Sequence, residues 1–152
     1  MTSGSPGPPA KERPNRPRLT VDALAAVGAG GALGGLCRWL LGDWVPDGAG
    51  FPWTTFGINV VGSVLLALLP ALIAPRRSHR WALFLGPGVL GGFTTLSAYG
   101  EQTRALIADG HAGVAASYYL GTLAACLLAV ALAQHVTTPI ERAEVLAQEG
   151  DE

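Results

Sequence analysis

Charge is what this 152-residue chain has least of: 14% of its residues are Asp, Glu, Lys or Arg, while 49% are apolar. A soluble domain carries about a quarter charged residues, so the composition argues against a water-soluble globule. Net charge is -1, without the basic excess of a nucleic-acid-binding protein. Only two cysteines occur, Cys37 and Cys126, each inside an apolar run. They read as small buried hydrophobes rather than as a disulfide or metal pair, and no Cys/His cluster has zinc spacing. The three histidines, His79, His111 and His135, fall in loops or at the ends of apolar runs, which gives a membrane enzyme no nucleophile–base constellation. The acids in or near the runs are Asp22, Glu101 and Asp109, all near run ends. A small multidrug-type exporter, also a four-span chain, needs a membrane-embedded carboxylate for proton exchange, and that need is not met. The first apolar run continues into Arg38 and Trp39 without a small-residue cleavage site, so a secretory signal peptide is not expected.

What is present is apolar length. A bilayer core about 30 Å thick takes roughly 20 helical residues to cross. Four segments qualify: Thr20 to Leu41, Thr54 to Ala74, Trp81 to Ile107 and Ala112 to His135. Short Pro/Gly-rich or polar loops join them, which implies antiparallel neighbours. Residues 1–18, rich in Pro, Gly and Ser with basic residues, are expected to be a disordered tail. Residues 19–136 form the four-helix transmembrane unit, and 137–152 an acidic polar tail. Small residues crowd the runs, among them Gly28, Gly30, Gly31, Gly34 and Gly35 in the first, Gly57 and Gly62 in the second and Gly121 in the fourth. Close helix packing in lipid uses such residues. The third run differs. Gly86-Pro87-Gly88 is followed by Gly91-Gly92-Phe93-Thr94-Thr95-Leu96-Ser97, so helix breakers stand beside three hydroxyls. An interrupted helix whose freed carbonyls hold an ion and a kinked packing helix with hydroxyls bonded back to the i−4 carbonyl both fit that pattern.

With four spans, both tails and the loop between spans two and three share one side of the membrane. That side carries Lys11, Arg13, Arg16, Arg18, Arg76, Arg77, Arg80 and Arg142; the other carries Arg104 at most. The positive-inside rule therefore predicts both termini in the cytoplasm; the membrane is expected to be the cell inner (plasma) membrane.

The motifs, taken in order, resemble those of the CrcB/Fluc fluoride channel family. Span one has Gly31-Ala-Leu-Gly34-Gly35-Leu-Cys-Arg38-Trp39, similar to that family's glycine-rich segment ending in Arg and an aromatic. Span two has Thr55-Phe-Gly-Ile-Asn59-Val-Val-Gly62, like its Thr…Asn-x-x-Gly pattern. Span three has Gly91-Gly92-Phe93-Thr94-Thr95-Leu96-Ser97-Ala98-Tyr99-Gly-Glu101, close to its Gly-Gly-Phe-Thr-Thr-Phe-Ser-Thr-Phe…Glu signature. Span four has Tyr118, Thr122 and Cys126 at intervals of four, one helix face. The resemblance implies an all-α membrane protein of four transmembrane helices with a broken third helix, assembling as an antiparallel dimer. It implies passive fluoride export and a structural Na+ held by backbone carbonyls, here those of Gly91 and Thr94. No enzymatic activity is expected.

Fluoride is costly to dehydrate unless hydrogen-bond donors replace its water. Asn59, Thr95, Ser97, Tyr99, Tyr118 and Thr122 can donate and are the candidate fluoride pathway; Arg38 and Glu101 are vestibule or supporting candidates. Blander readings stand beside these: Asn59 as an interhelical bond, Arg38 snorkelling to the interface, Glu101 as a solvated helix end, and Tyr118 and Tyr119 as interfacial belt residues. The chain also departs from the family pattern. Leu96 and Tyr99 stand where two phenylalanines present their electropositive ring edges, and Ala98 replaces a small hydroxyl residue. The strong charge bias and the altered aromatic pair together suggest one half of a heterodimer with an oppositely oriented paralogue. A non-conducting assembly subunit is the alternative within the same fold.

Overall fold

The computed structural model describes residues 20–73 and 79–149, with side chains from 20 to 71 and from 80 to 135. The tail over 1–18, Arg76, Arg77 and the side chains of the acidic C-terminal tail lie outside the described residues. Helix α1 spans Val21–Trp44 and α2 Trp53–Ile73. The third span is composite: α3 (His79–Leu83), a π-helical stretch (Phe84–Leu90), α4 (Gly91–Phe93) and α5 (Leu96–Ala108). Helix α6 runs from Ala112 to Glu149, beyond the end of its apolar portion at His135. Four segments are long and apolar enough to cross a membrane: Val21–Trp44, Trp53–Ala71, Arg80–Ala108 and Ala112–His135. Their outward faces carry Leu24, Leu36, Leu120, Leu127, Leu128 and Leu132, each more than half exposed, as a lipid-facing surface requires. The protein is a multi-pass membrane protein.

Helix ends follow local chemistry. Thr20 caps α1, its hydroxyl accepting from the Ala23 N–H at 3.3 Å. At the end of α5, Gly110 adopts φ +80°. The Gly110 N–H then reaches the Ile107 carbonyl at 3.1 Å and the His111 N–H reaches Leu106 at 2.8 Å, the pattern of a Schellman cap. That turn sends α6 straight back across the membrane.

Backbone contact fixes α1 against the third span. A Cβ added at Gly30 would lie 2.3 Å from the Phe84 carbonyl oxygen, and one at Gly34 would lie 2.0 Å from that of Val89. From the other side, a Cβ at Gly92 would lie 2.3 Å from the Gly31 oxygen. Glycines four apart on both elements thus let the main chains touch. Gly28, Gly57 and Gly121 meet nothing within 4 Å, so the packing role expected of the glycines holds only for part of them. Gly86-Pro87-Gly88 does not stop the helix. It is wound into the π stretch, where the Gly91 N–H reaches the Gly86 carbonyl five residues back; the wider coil accommodates a proline that cannot donate. Elsewhere α2 packs on α6, and Tyr99, Leu106, Ala115 and Tyr118 form a small core with Phe51, Phe56 and Val114 around it. Cys126 is half-buried, but Cys37 is exposed on the outer face of α1, against its reading as a buried hydrophobe, because the buried face of α1 is the one that carries Gly30 and Gly34.

Gly34→Val is therefore expected to cost at least the ~1–3 kcal/mol typical of overpacking, while Gly28→Ala stays within about 0.5 kcal/mol of wild type. Unfolding of the full chain in detergent micelles, followed by far-UV circular dichroism, measures both.

Candidate functional site

The site begins where helical geometry stops. Thr94 has ψ 156° and Thr95 has φ −146°, ψ 119°, both extended. The Thr95 hydroxyl then caps α5 by accepting from the Ala98 N–H at 3.1 Å. Two extended residues inside an apolar span release backbone donors and acceptors that lipid cannot satisfy. Asn59 of α2 takes up one residue's worth. Its Oδ1 accepts from the Thr95 N–H at 2.8 Å, and its Nδ2 donates to the Thr95 carbonyl at 3.1 Å. Both residues are buried. The side-chain amide thus stands in for a neighbouring peptide group, since the planar head of Asn or Gln carries the same adjacent N–H donor and C=O acceptor as a peptide. Arg38 of α1 serves a second freed group, its Nε donating to the Gly92 carbonyl at 3.3 Å. Thr94 bonds back to the Leu90 carbonyl through its hydroxyl at 3.0 Å. In a continuous helix the Thr95 and Ala98 N–H groups would go to the carbonyls of Gly91 and Thr94; here they go to Asn59 and to the Thr95 hydroxyl.

Two clefts flank this point, and Thr95 lines both. One, of about 320 Å³, is polar, with Arg38, Asp43, Thr54, Thr55 and Thr95 in its wall. The other, of about 260 Å³, is lined by Asn59, Ser63, Thr95, Leu96, Tyr99 and Thr122 among others. Thr122 is 3% exposed, and its buried hydroxyl has no hydrogen-bond partner. Ser97 is exposed, with its hydroxyl 3.3 Å from that of Thr95. Leu96 projects from the surface at 80% exposure.

The tyrosines sit differently. The Tyr99 hydroxyl donates to the Tyr119 carbonyl, and its ring stacks on Tyr119 and meets Tyr118 edge-on, both at 5.2 Å between centroids. Tyr118 is wholly buried and its hydroxyl donates to Gln102 Oε1 at 2.7 Å. Glu101 points outward and forms a bidentate ion pair with Arg104 at 2.6 and 2.8 Å. Hence Asn59, Thr95, Ser97 and Thr122 gather at the break with Arg38 beside it. Glu101 does not, and Tyr118 lies behind the wall.

Two residues that sequence reading passed over complete the picture. Asp47, in the loop after α1, accepts from the Thr54 N–H at 2.7 Å and the Thr55 N–H at 3.3 Å, capping α2. It also accepts from the Thr55 hydroxyl at 2.9 Å and from Gln102 Nε2 at 3.1 Å. Because Asp47 lies six residues before α2 begins, cap spacing does not find it. Gln102 carried a visible signal: it shares a helix face with Tyr99 and Leu106.

This geometry can be set beside known proteins. The family model described as CrcB-like protein, Camphor Resistance (CrcB), matches residues 25–134. The chain belongs to this family. Curated members similar to it include the fluoride-specific ion channel FluC 1 of Streptomyces coelicolor, 40% identical over 136 residues that cover 86% of this chain and 88% of that protein. The FluC protein of Agrobacterium fabrum is 43% identical over 70% of this chain and 89% of its own length. A FluC protein of Thermus thermophilus is 44% identical over 69% of this chain and 85% of its own length. The matched stretch of the family model contains Arg38, Asn59, the 94–95 interruption and Thr122, and stops short of the C-terminal part of α6.

Replacing Asn59 with Leu strands the Thr95 N–H and carbonyl, each worth about 1–3 kcal/mol when buried unpaired. Asn59→Leu should lower the unfolding free energy by at least about 2 kcal/mol, and Asn59→Asp, which accepts but cannot donate, should recover only part of it. Denaturant titration in micelles checks both values.

Proposed function

We propose that the chain is one subunit of a fluoride channel that lets the ion leave the cytoplasm passively and so protects the cell from fluoride toxicity. The family assignment and the named function of its relatives support this reading. The observation that carries it is the set of donors at the break: Asn59, Thr95 and the unpartnered Thr122 hydroxyl line one cleft, and the Ser97 hydroxyl joins them through that of Thr95. An anion stripped of water needs donors in sequence, and neutral donors hold it without trapping it as a full positive charge would. Arg38, in the polar cleft, would draw anions toward the mouth. The single hydroxyl protons of Tyr99 and Tyr118, first candidates for the same set, are spent, whereas Asn59 Nδ2 keeps a second N–H beyond its bond to Thr95 and the Thr95–Ser97 pair keeps one hydroxyl proton beyond their mutual bond, so the donor role is assigned to these three and to Thr122.

The reading extends to an antiparallel dimer. The cleft that contains Thr122 has the exposed Leu96 at its rim, and a second subunit would close it. An oppositely inserted partner would bring its own interruption against this one. The carbonyls of Gly91 and Thr94 from both chains would then surround a structural Na+. The fit is chemical: carbonyl oxygens are hard ligands suited to a hard cation, and the N–H groups that a helix would aim at them are used elsewhere. When bound, the ion supplies fixed positive charge at the centre of the assembly. The cytoplasmic charge bias favours a single insertion direction in the plasma membrane, with both tails inside, and hence a paralogue as partner. The aliphatic Leu96 favours one impaired pore in such a pair, or, at the limit, a purely assembling role for this chain.

Reconstituted into liposomes and followed with a fluoride electrode, the chain mixed with its paralogue is expected to release trapped fluoride, and the chain alone is not. Thr122→Val removes a buried hydroxyl that bonds to nothing. Stability should therefore hold within about 1 kcal/mol, while fluoride efflux from the mixed assembly falls at least about fivefold, the weight of one ordinary hydrogen bond. Release by the chain alone, at the rate of the mixture, would retire the heterodimer.

A further inference from the structure

Asp47, Thr55, Gln102 and Tyr118 form a hydrogen-bonded relay whose direction can be read from its first member. The Asp47 carboxylate is an acceptor only. Four donors converge on it: the N–H groups of Thr54 and Thr55, the Thr55 hydroxyl and Gln102 Nε2. The last of these fixes the Gln102 amide, because turning it over would set its oxygen against the carboxylate. Nε2 also donates to the Thr55 hydroxyl at 3.0 Å. Oε1 is thereby aimed at Tyr118, at 2.7 Å, and can only accept. Tyr118 has one proton to give and gives it there. Toward anything else its oxygen offers lone pairs alone, and its residue is fully enclosed. One turn further along α6, Thr122 shares the helix face of Tyr118 but has no partner for its hydroxyl.

Resting on the channel reading above, we propose that Asp47 is a positioning residue that acts through Gln102: it polarises the relay so that the Tyr118 hydroxyl is withheld from fluoride, and the α6 donors available to the ion begin at Thr122. Asp47 and Gln102 touch no ion in this scheme. They set which hydroxyls on the α6 face are free.

The relay can be tested without transport. The tyrosine Fermi doublet in the Raman spectrum distinguishes a phenol that donates from one that accepts, and the chain has three tyrosines. The wild-type minus Tyr118→Phe difference spectrum of the full chain in micelles isolates Tyr118. A strong-donor signature is expected, and its loss in Asp47→Asn and in Gln102→Leu. Gln102→Glu serves as a second variant that keeps an acceptor toward Tyr118: it should keep the donor signature if Tyr118 merely needs an acceptor, so loss in Asp47→Asn with retention in Gln102→Glu assigns the direction to the relay. An acceptor signature for wild-type Tyr118, or a donor signature unchanged by Asp47→Asn or by Gln102→Leu, overturns the proposal. Fluoride efflux from the assembly with its partner then reads the consequence. Tyr118→Phe should alter efflux less than twofold in the wild-type background and at least fivefold in the Gln102→Leu background, where the hydroxyl is released. A fivefold loss from Tyr118→Phe alone, or no effect in either background, contradicts it. Absence of efflux from the wild-type assembly counts against the channel reading, while the Raman result still decides the relay.

Discussion

One side-chain amide carries much of this structure. Asn59 pairs with both backbone groups of Thr95 at a depth where neither lipid nor a regular helix would serve them. The extended geometry of Thr94 and Thr95 is tolerable because that pairing exists. The consequences spread outward: α5 restarts with Thr95 as its own cap, the carbonyls of Gly91 and Thr94 lose their helical donors, and Thr95 becomes the wall between two clefts. Arg38 supports the same turn from α1 through the Gly92 carbonyl, so three of the four membrane-crossing elements meet there.

Close contact with α1 holds that region in place. Gly30 and Gly34 admit the carbonyls of Phe84 and Val89 to distances no side chain permits, and the π stretch supplies the extra width that Pro87 requires. The interruption is thus mounted on main chain packed against main chain, which gives it a defined position although the buried core among the described residues is small. Tyr118, the only large side chain that is fully enclosed among the described residues, marks the other fixed point, between α5, α6 and the capping loop of α2.

The four membrane-crossing segments were legible because length and hydropathy alone decide them; each expected run lies within a few residues of an observed one. Asn59 and Thr95 were legible as polar residues in apolar runs, but not as partners, since a pairing between residues 36 apart in sequence leaves no local periodic trace. Gly86-Pro87-Gly88 and Gly91 to Ser97 read together as one run of helix breakers beside hydroxyls; the structure winds the first group into a wide helix and puts the extended residues after Phe93. Residue propensity says that a helix is weak there but not how the backbone will compensate. Tyr118 and Tyr99 were readable as donors but not as spent ones, because the groups that use their protons, Gln102 and the Tyr119 carbonyl, are brought near only by the fold. Glu101 and Gln102 are adjacent in sequence, yet the helix turns one to the surface and the other inward.

The central claim is that this break presents a line of neutral donors matched to fluoride. Its most direct test compares fluoride and chloride release, side by side, from liposomes holding the full chain together with the paralogue proposed as its partner. Rapid fluoride release with chloride retained is the predicted result. Release of both ions together, or of neither from assemblies shown to be folded, would contradict it.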